Sequence, residues 1–261
     1  MTLETTTKQN PFLSIITVTK DNLNGLKRTA QSIRMQSVQD YEWIVVDALS
    51  ADGSESYLHT DIPHVHIREA DDGIYDAMNK GIRAASGRYL LFLNAGDCLS
   101  DMDIIATIMR AAADNPDYIY GDALETNGLF KKAQSLHSID WGMPTHHQAM
   151  IYRKGLLPDL LYDTRYRIAA DYDYTRRFLK AVKNTHYIPA ALCVFENGGL
   201  SETRRKEARR EQYDIRKNCG VPALKNRLIY VAQGMTAFMR ERFPSVYFPA
   251  RRCFSAYLTR A

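Results

Sequence analysis

The 261-residue chain has four cysteines, Cys98, Cys193, Cys219 and Cys253, and no two stand at the close spacing that binds zinc or does thiol redox chemistry. They read as reduced thiols. No run reaches the ~20 apolar residues that span a bilayer, and the N-terminal MTLETTTKQN lacks the basic and apolar regions of a secretory signal. The expected location is therefore the cytoplasm. No internal repeat, low-complexity tract or nucleic-acid recognition motif is present. The loop TVTKDNLNG is not the Gly-rich, Arg- and Lys-containing loop that a sugar nucleotidylyltransferase needs after its first strand.

The composition, 45% apolar and 25% charged, is that of a globular protein with enough material for a core. The formal charge of +4 is unevenly spread: residues 201–261 hold 14 Lys and Arg against 5 Asp and Glu, leaving 20 against 25 in the rest. An acidic body suits metal and sugar binding, and a basic tail suits anionic lipid or diphosphate. The shift after Gly198-Gly199 divides the chain into a body, 1–200, and an extension, 201–261.

Apolar runs at 12–19, 41–47, 64–68 and 89–94 read as buried strands, and helical spacing between them at 26–35 and 74–85 makes a strand-helix alternation. That order predicts right-handed crossovers and a doubly wound, mostly parallel α/β sheet. The second half is more mixed, with helices expected at 104–113 and 170–182 and strands at 118–120, 130–133 and 186–195. In the extension, Leu224, Leu228, Val231, Met235 and Phe238 recur on one helical face. With Arg251 and Arg252 near the aromatics of SVYFPARRCFSAYL, this tail suits a membrane interface, its own body or a second subunit.

Ligands of open α/β sheets gather at the strands' carboxyl ends, which here carry Thr17, Thr19, Asp47 and the turn Asn94 to Asp97. Asp97 follows a buried strand with no evident partner, a placement that suits Mg²⁺ or Mn²⁺, since these bind one or two carboxylates together with phosphate oxygens and water. Asn94 offers a neutral oxygen beside it. Asp71 precedes a helix, where the dipole favours a carboxylate. Asp171 and Asp173 open another helix; either could cap it or act as general base, and spacing does not choose between them. His146 and His147 have no third ligand nearby, which disfavours zinc and leaves His147 to contact acceptor or diphosphate. Arg204 and Arg205 follow the Gly-Gly hinge and are placed to fold over a leaving diphosphate.

In order, SIITVTKDN (14–22), EWIVVDALSADGS (42–54), EADDGIYDAMNKGI (69–82), GRYLLFLNAGD (87–97), HHQAMIYRKGLL (146–157), YRIAADYDYTRRFL (166–179) and FENGGLSETRRKEARRE (195–211) resemble the family 2 glycosyltransferases, in the group of bacterial exopolysaccharide and colanic acid enzymes. The resemblance implies a GT-A fold, a UDP- or GDP-sugar donor, a divalent cation and inversion by direct displacement. It implies that Thr17, Thr19, Asp47 and Asp71 hold the nucleotide, that Asp97 is the final carboxylate of a DxD-like metal turn, and that Asp171 is the catalytic base. Two positions depart from the pattern. Ala48 and Leu49 replace glycines, and Asn94 and Gly96 leave Asp97 as the sole carboxylate of its turn. The expected acceptor is a lipid-diphosphate-linked saccharide met at the inner membrane face through the extension, whose stripe could also serve a homodimer. The alternatives are a sugar nucleotidylyltransferase and a noncatalytic nucleotide-binding scaffold, and the intact pair Asp97 and Asp171 argues against the scaffold.

Overall fold

A computed structural model describes residues 10–61, 63–199, 203–243 and 245. The tail's Arg251, Arg252 and Cys253 lie outside them. The N-terminal half runs β1 (Leu13–Thr19), α1 (Leu23–Arg34), β2 (Tyr41–Asp47), α2 (Ser54–Thr60), β3 (Val65–Arg68), α3 (Ile74–Ala84) and β4 (Tyr89–Phe92). The second half runs β5 (Cys98–Leu99), α4 (Ile104–Ala111), β6 (Tyr118–Glu125), β7 (Phe130–Lys131), β8 (Met150–Arg153), α5 (Ala170–Leu179) and β9 (Thr185–Phe195). Two helices follow, α6 (Arg205–Asn218) and α7 (Ala223–Arg242).

Among the described residues the strands form one sheet in the order β3-β2-β1-β4-β8-β6-β9-β5, with β7 on β6. β3, β2, β1 and β4 are parallel, as the crossovers predict. β8 joins β4 and β6 antiparallel, β6 and β9 run parallel, and β5 closes the far edge antiparallel to β9. Helices cover both faces, so strands such as LSIITVT are buried throughout. On one face Leu13, Ile15 and Val45 pack against Leu26, Ile33, Ile105 and Ile108 of α1 and α4. On the other, Ile16, Val18 and Val46 pack against Met78, Ile82 and Phe178 of α3 and α5. Each fully buried aliphatic chain contributes about 1.5–3 kcal/mol. α3 lies so close to β1 that a Cβ at Gly81 would stand 2.4 Å from Ile16 Cγ2.

The helix expected at 170–182 stops at Leu179, and β6 continues five residues past its expected end at Tyr120, to Glu125. Part of the extension is bound into the body. Ile215 of α6 shares a small core with Ala169 and Tyr172, and the wholly buried Arg216 donates to Asn226 Oδ1 at 2.7 Å. Asp140, in a 3-10 turn over Leu136–Trp141, ties three helices together. Its carboxylate accepts from Arg176 of α5 at 2.7 Å and Lys225 of α7 at 2.5 Å, and its carbonyl accepts from Arg216 of α6 at 3.4 Å. α7 turns Asn226 and Ile229 inward. Its apolar stripe faces outward, with Leu224 73% and Met235 64% exposed.

Candidate active site

A cavity of about 1030 Å³ opens at the carboxyl ends of β1 and β4, walled by the starts of α3 and α5, the His146–Gln148 turn, and residues of α6 and α7. Thr19, Asp71, Asn94, Asp97, His147 and Asp171 all line it. Separate stretches of sequence thus converge on one place.

The turn after β4 positions Asn94 and Asp97. Leu93 and Ala95 continue the backbone bonding to β1, and Asp97 N closes on Asn94 O at 3.0 Å. Thr29 of α1 pins the turn from below, donating to Asp97 O at 2.7 Å and accepting from Gly96 N at 3.0 Å. Gly96 has φ +111°, and a Cβ there would stand 1.9 Å from Glu196 Oε2, so only glycine fits without displacement. Glu196 is itself paired with Arg28.

Asp97 is 4% exposed. Its Oδ2 accepts from Gln148 Nε2 at 2.6 Å and its Oδ1 from the Glu196 amide at 2.9 Å. Burial, helped by the Glu196 charge, raises its pKa to about 7 against the pull of those two bonds. Beside it, the buried oxygens Asn94 Oδ1 and Gln148 Oε1 have no hydrogen-bond partner. These hard oxygen donors fit Mg²⁺ or Mn²⁺. Among the described residues no group of three His, Cys, Asp or Glu side chains could hold a metal alone. A cation would need a ligand that brings its own oxygens, as a diphosphate does.

Asp171 sits in the first turn of α5. Its Oδ1 accepts from Tyr172 N at 2.8 Å and faces the Tyr75 hydroxyl at 3.4 Å. Burial raises its pKa, with His147 acting in the opposite sense. His147 stands between the two halves of the site: Nδ1 lies 3.7 Å from Asp171 Oδ2 and Nε2 lies 3.5 Å from Asn94 Nδ2. Burial lowers the His147 pKa, and the Asp171 charge works against that lowering. Asp173 is occupied elsewhere, accepting from Arg177 at 2.7 Å, and does not line the cavity.

Not every sequence candidate reaches the cavity. Thr17 shares a sheet face with Leu13 and Ile15; it donates to Leu93 O at 2.7 Å and accepts from Trp43 Nε1 at 3.0 Å, so its hydroxyl is spent inside the core. Asp47 is completely buried behind the wall, accepting from Ser50 N at 3.0 Å with Arg68 Nε 3.4 Å away. Thr19 faces the cavity with a buried, unpartnered hydroxyl. Asp71 faces it too, accepting from Gly73 N at 2.9 Å. Arg204 occupies the N-cap position of α6 and donates to Glu207 at 2.7 Å; neither it nor Arg205 is on the cavity wall, which draws its cations from Lys20, Lys131, Arg167 and Arg240.

Sequence reasoning leaves out Gln148 and Glu196 as partners of Asp97 and Tyr75 as a partner of Asp171. They lie 51, 99 and 96 residues away, beyond any local pattern.

The same region carries the likeness to known proteins. The family model described as Glycosyl transferase family 2 matches residues 14–173. A PGL/p-HBAD biosynthesis glycosyltransferase of Mycobacterium bovis is 34% identical over 206 residues, covering 74% of this chain and 80% of that protein. The crystal structure of S. aureus TarS 1-349 in complex with UDP-GlcNAc superposes with a TM-score of 0.66 at 16% identity, over 87% of this chain and 72% of that one. The mannosyltransferase PcManGT from Pyrobaculum calidifontis, in complex with GDP-Man and Mn²⁺, gives 0.63 at 17% identity, over 96% and 74%. This chain spans 43% of the longer TarS chain. The superpositions bear on the fold, which is the GT-A-type α/β arrangement.

Proposed function

The chain belongs to glycosyl transferase family 2 and is a glycosyltransferase, and from that membership we propose that it inverts the anomeric carbon of a UDP- or GDP-sugar while moving the sugar to an acceptor hydroxyl. The observation that carries the reading is the meeting of two carboxylates, the buried Asp97 and the half-buried Asp171, in one cavity, with His147 between Asp171 and Asn94 of the Asp97 turn.

In this reading Asp171 accepts the acceptor's proton as the acceptor oxygen bonds to the anomeric carbon. The bond from that carbon to the diphosphate breaks, and its electron pair leaves with the diphosphate. Desolvation suits Asp171 to this role, because a carboxylate with a raised pKa is a stronger base. Asp97 and Asn94 would hold the divalent cation, which supplies charge stabilisation at the departing diphosphate. Thr19 and Asp71 face the donor, with Asp47 and Thr17 supporting the strand ends from behind. Lys20, Lys131 and Arg167 replace Arg204 and Arg205 as the cations nearest the leaving group.

The acceptor proposed is a saccharide on a lipid diphosphate, as in bacterial surface or exopolysaccharide assembly, met at the inner face of the cytoplasmic membrane. Among the described residues no helix is long and apolar enough to cross a membrane. Support for peripheral contact comes from α7, whose outward apolar stripe is accompanied by Arg227 and Arg242. A second copy against the same stripe would bring like charges together, which favours the lipid surface over a homodimer.

A panel of UDP- and GDP-sugars, tested with Mn²⁺, Mg²⁺ or EDTA, examines the chemistry. One donor is expected to bind in a metal-dependent way, with Asp97→Ala weakening it and Asp171→Asn binding without turnover. A folded chain that binds no donor under any condition would instead be a scaffold.

A further inference from the structure

α5 begins without a side-chain cap of its own. Its N-cap residue is Ala169, which has no side-chain oxygen to offer, so the chain entering the helix is fixed from elsewhere. The three backbone amides just before the helix, 167 to 169, are bound by a carboxylate from the extension. Glu211 of α6 accepts from Arg167 N at 2.8 Å through Oε1, and from Ile168 N at 2.9 Å and Ala169 N at 2.8 Å through Oε2. Charge-assisted bonds of this kind are about twice as strong as neutral ones, and the helix dipole adds to them. The same short segment is gripped from its other side: the Tyr75 hydroxyl donates to Ile168 O at 2.7 Å while standing 3.4 Å from Asp171 Oδ1. The peptide groups of Ile168 are therefore held at both polar ends, one turn before Asp171.

We infer that Glu211 is a positioning residue for Asp171: by holding the backbone amides of Arg167, Ile168 and Ala169 from a different helix it fixes where the Asp171 carboxylate stands in the cavity. The inference rests on the reading of Asp171 as the base. It makes α6 a working part of the site, in keeping with Ile215 of α6 packing on Ala169 and Tyr172 at the start of α5. A displacement of about 1 Å in a reacting group can cost about 100-fold in rate. A loosened α5 start should therefore slow the proton-transfer step while leaving the donor's seat on Asp71 and Asp97 in place.

The experiment compares Glu211→Ala, Glu211→Gln and Asp171→Asn in the full chain. It follows nucleoside diphosphate release from whichever member of a UDP- and GDP-sugar panel the wild type turns over fastest. Glu211→Ala is expected to lower kcat roughly 10- to 100-fold with the donor KM within about twofold, and to move the acid limb of the kcat–pH profile. Glu211→Gln should fall between, since its amide oxygen can accept but its NH₂ cannot; it also serves as the test variant should Glu211→Ala fail to fold. If Asp171→Asn is inactive while both Glu211 variants keep the wild-type kcat and pH profile, or lose only KM, the inference is overturned and the base assignment stands. If Asp171→Asn turns over normally, or the wild type turns over no donor, the reading of Asp171 itself falls and takes the inference with it.

Discussion

His147 Nδ1 lies 3.7 Å from Asp171 Oδ2, and the opposite nitrogen of the same ring lies 3.5 Å from the Asn94 amide. One ring thus spans the proposed base and the proposed metal turn. Both contacts are longer than a good hydrogen bond, leaving room to tighten around a substrate. His147→Phe removes a group that lowers the Asp171 pKa. The acid limb of the kcat–pH profile should therefore move to higher pH, with kcat falling about tenfold or more. An unchanged profile would remove His147 from the proton pathway.

Asp97 sets stability against binding. Its folded pKa of about 7 lies above the ordinary carboxylate value of 3.8, so the folded chain holds this proton more tightly. The resulting stability is present below pH 3.8 and is lost as the pH rises to about 7. Asp97→Asn should thus raise the stability of the metal-free protein at pH 8 by an amount on the order of 2–4 kcal/mol, seen as a higher melting temperature, and much less at pH 4. The same variant should lose Mn²⁺-dependent nucleotide binding in calorimetry.

Gly96→Ala places a Cβ 1.9 Å from Glu196 Oε2 at a φ of +111°. Destabilisation of about 1–3 kcal/mol is expected from urea unfolding. Adding Glu196→Ala should recover the steric part but not the backbone part. Full recovery would show that the turn tolerates a side chain.

Acid sensitivity should trace partly to His146 and Glu125, whose atoms approach to 3.3 Å. Burial lowers the His146 pKa to about 4, so this ring's stability contribution is lost as pH falls from 6.5 towards that value. Burial would raise the Glu125 pKa, but hydrogen bonds from His146, Asn197 and Asn127 outweigh it and hold the group at about 2; its contribution disappears between pH 4.5 and that value. His146→Gln should flatten the loss of melting temperature between pH 6.5 and 4.

Leu228→Glu with Met235→Glu reverses the character of the outward face of α7. Flotation with phosphatidylglycerol vesicles should drop by about tenfold or more, while donor hydrolysis in solution stays at the wild-type rate. Unchanged flotation would remove α7 from membrane contact.

Much of the sheet was legible because β1, β2 and β4 are short apolar runs covered on both faces, and α3 shows clear helical spacing. β5 was not, since two residues cannot display a period, and β8 was hidden in a stretch read for its histidines. Thr19, Asp71, Asn94, Asp97, His147 and Asp171 converge on the cavity expected at the strand ends. What spacing could not give was direction and distant partners. Thr17 sits at a strand end yet turns its hydroxyl into the core, and Glu211 reaches α5 from another helix.

The bonds that Asp140 makes to Arg176, Lys225 and Arg216 join α5, α6 and α7 wherever the connecting chain runs. The Gly198-Gly199 segment is consequently a covalent convenience more than a mechanical hinge. A protease nick there should leave two fragments that remain associated through gel filtration and melt in one transition, and fragments expressed separately should reassemble into an active pair.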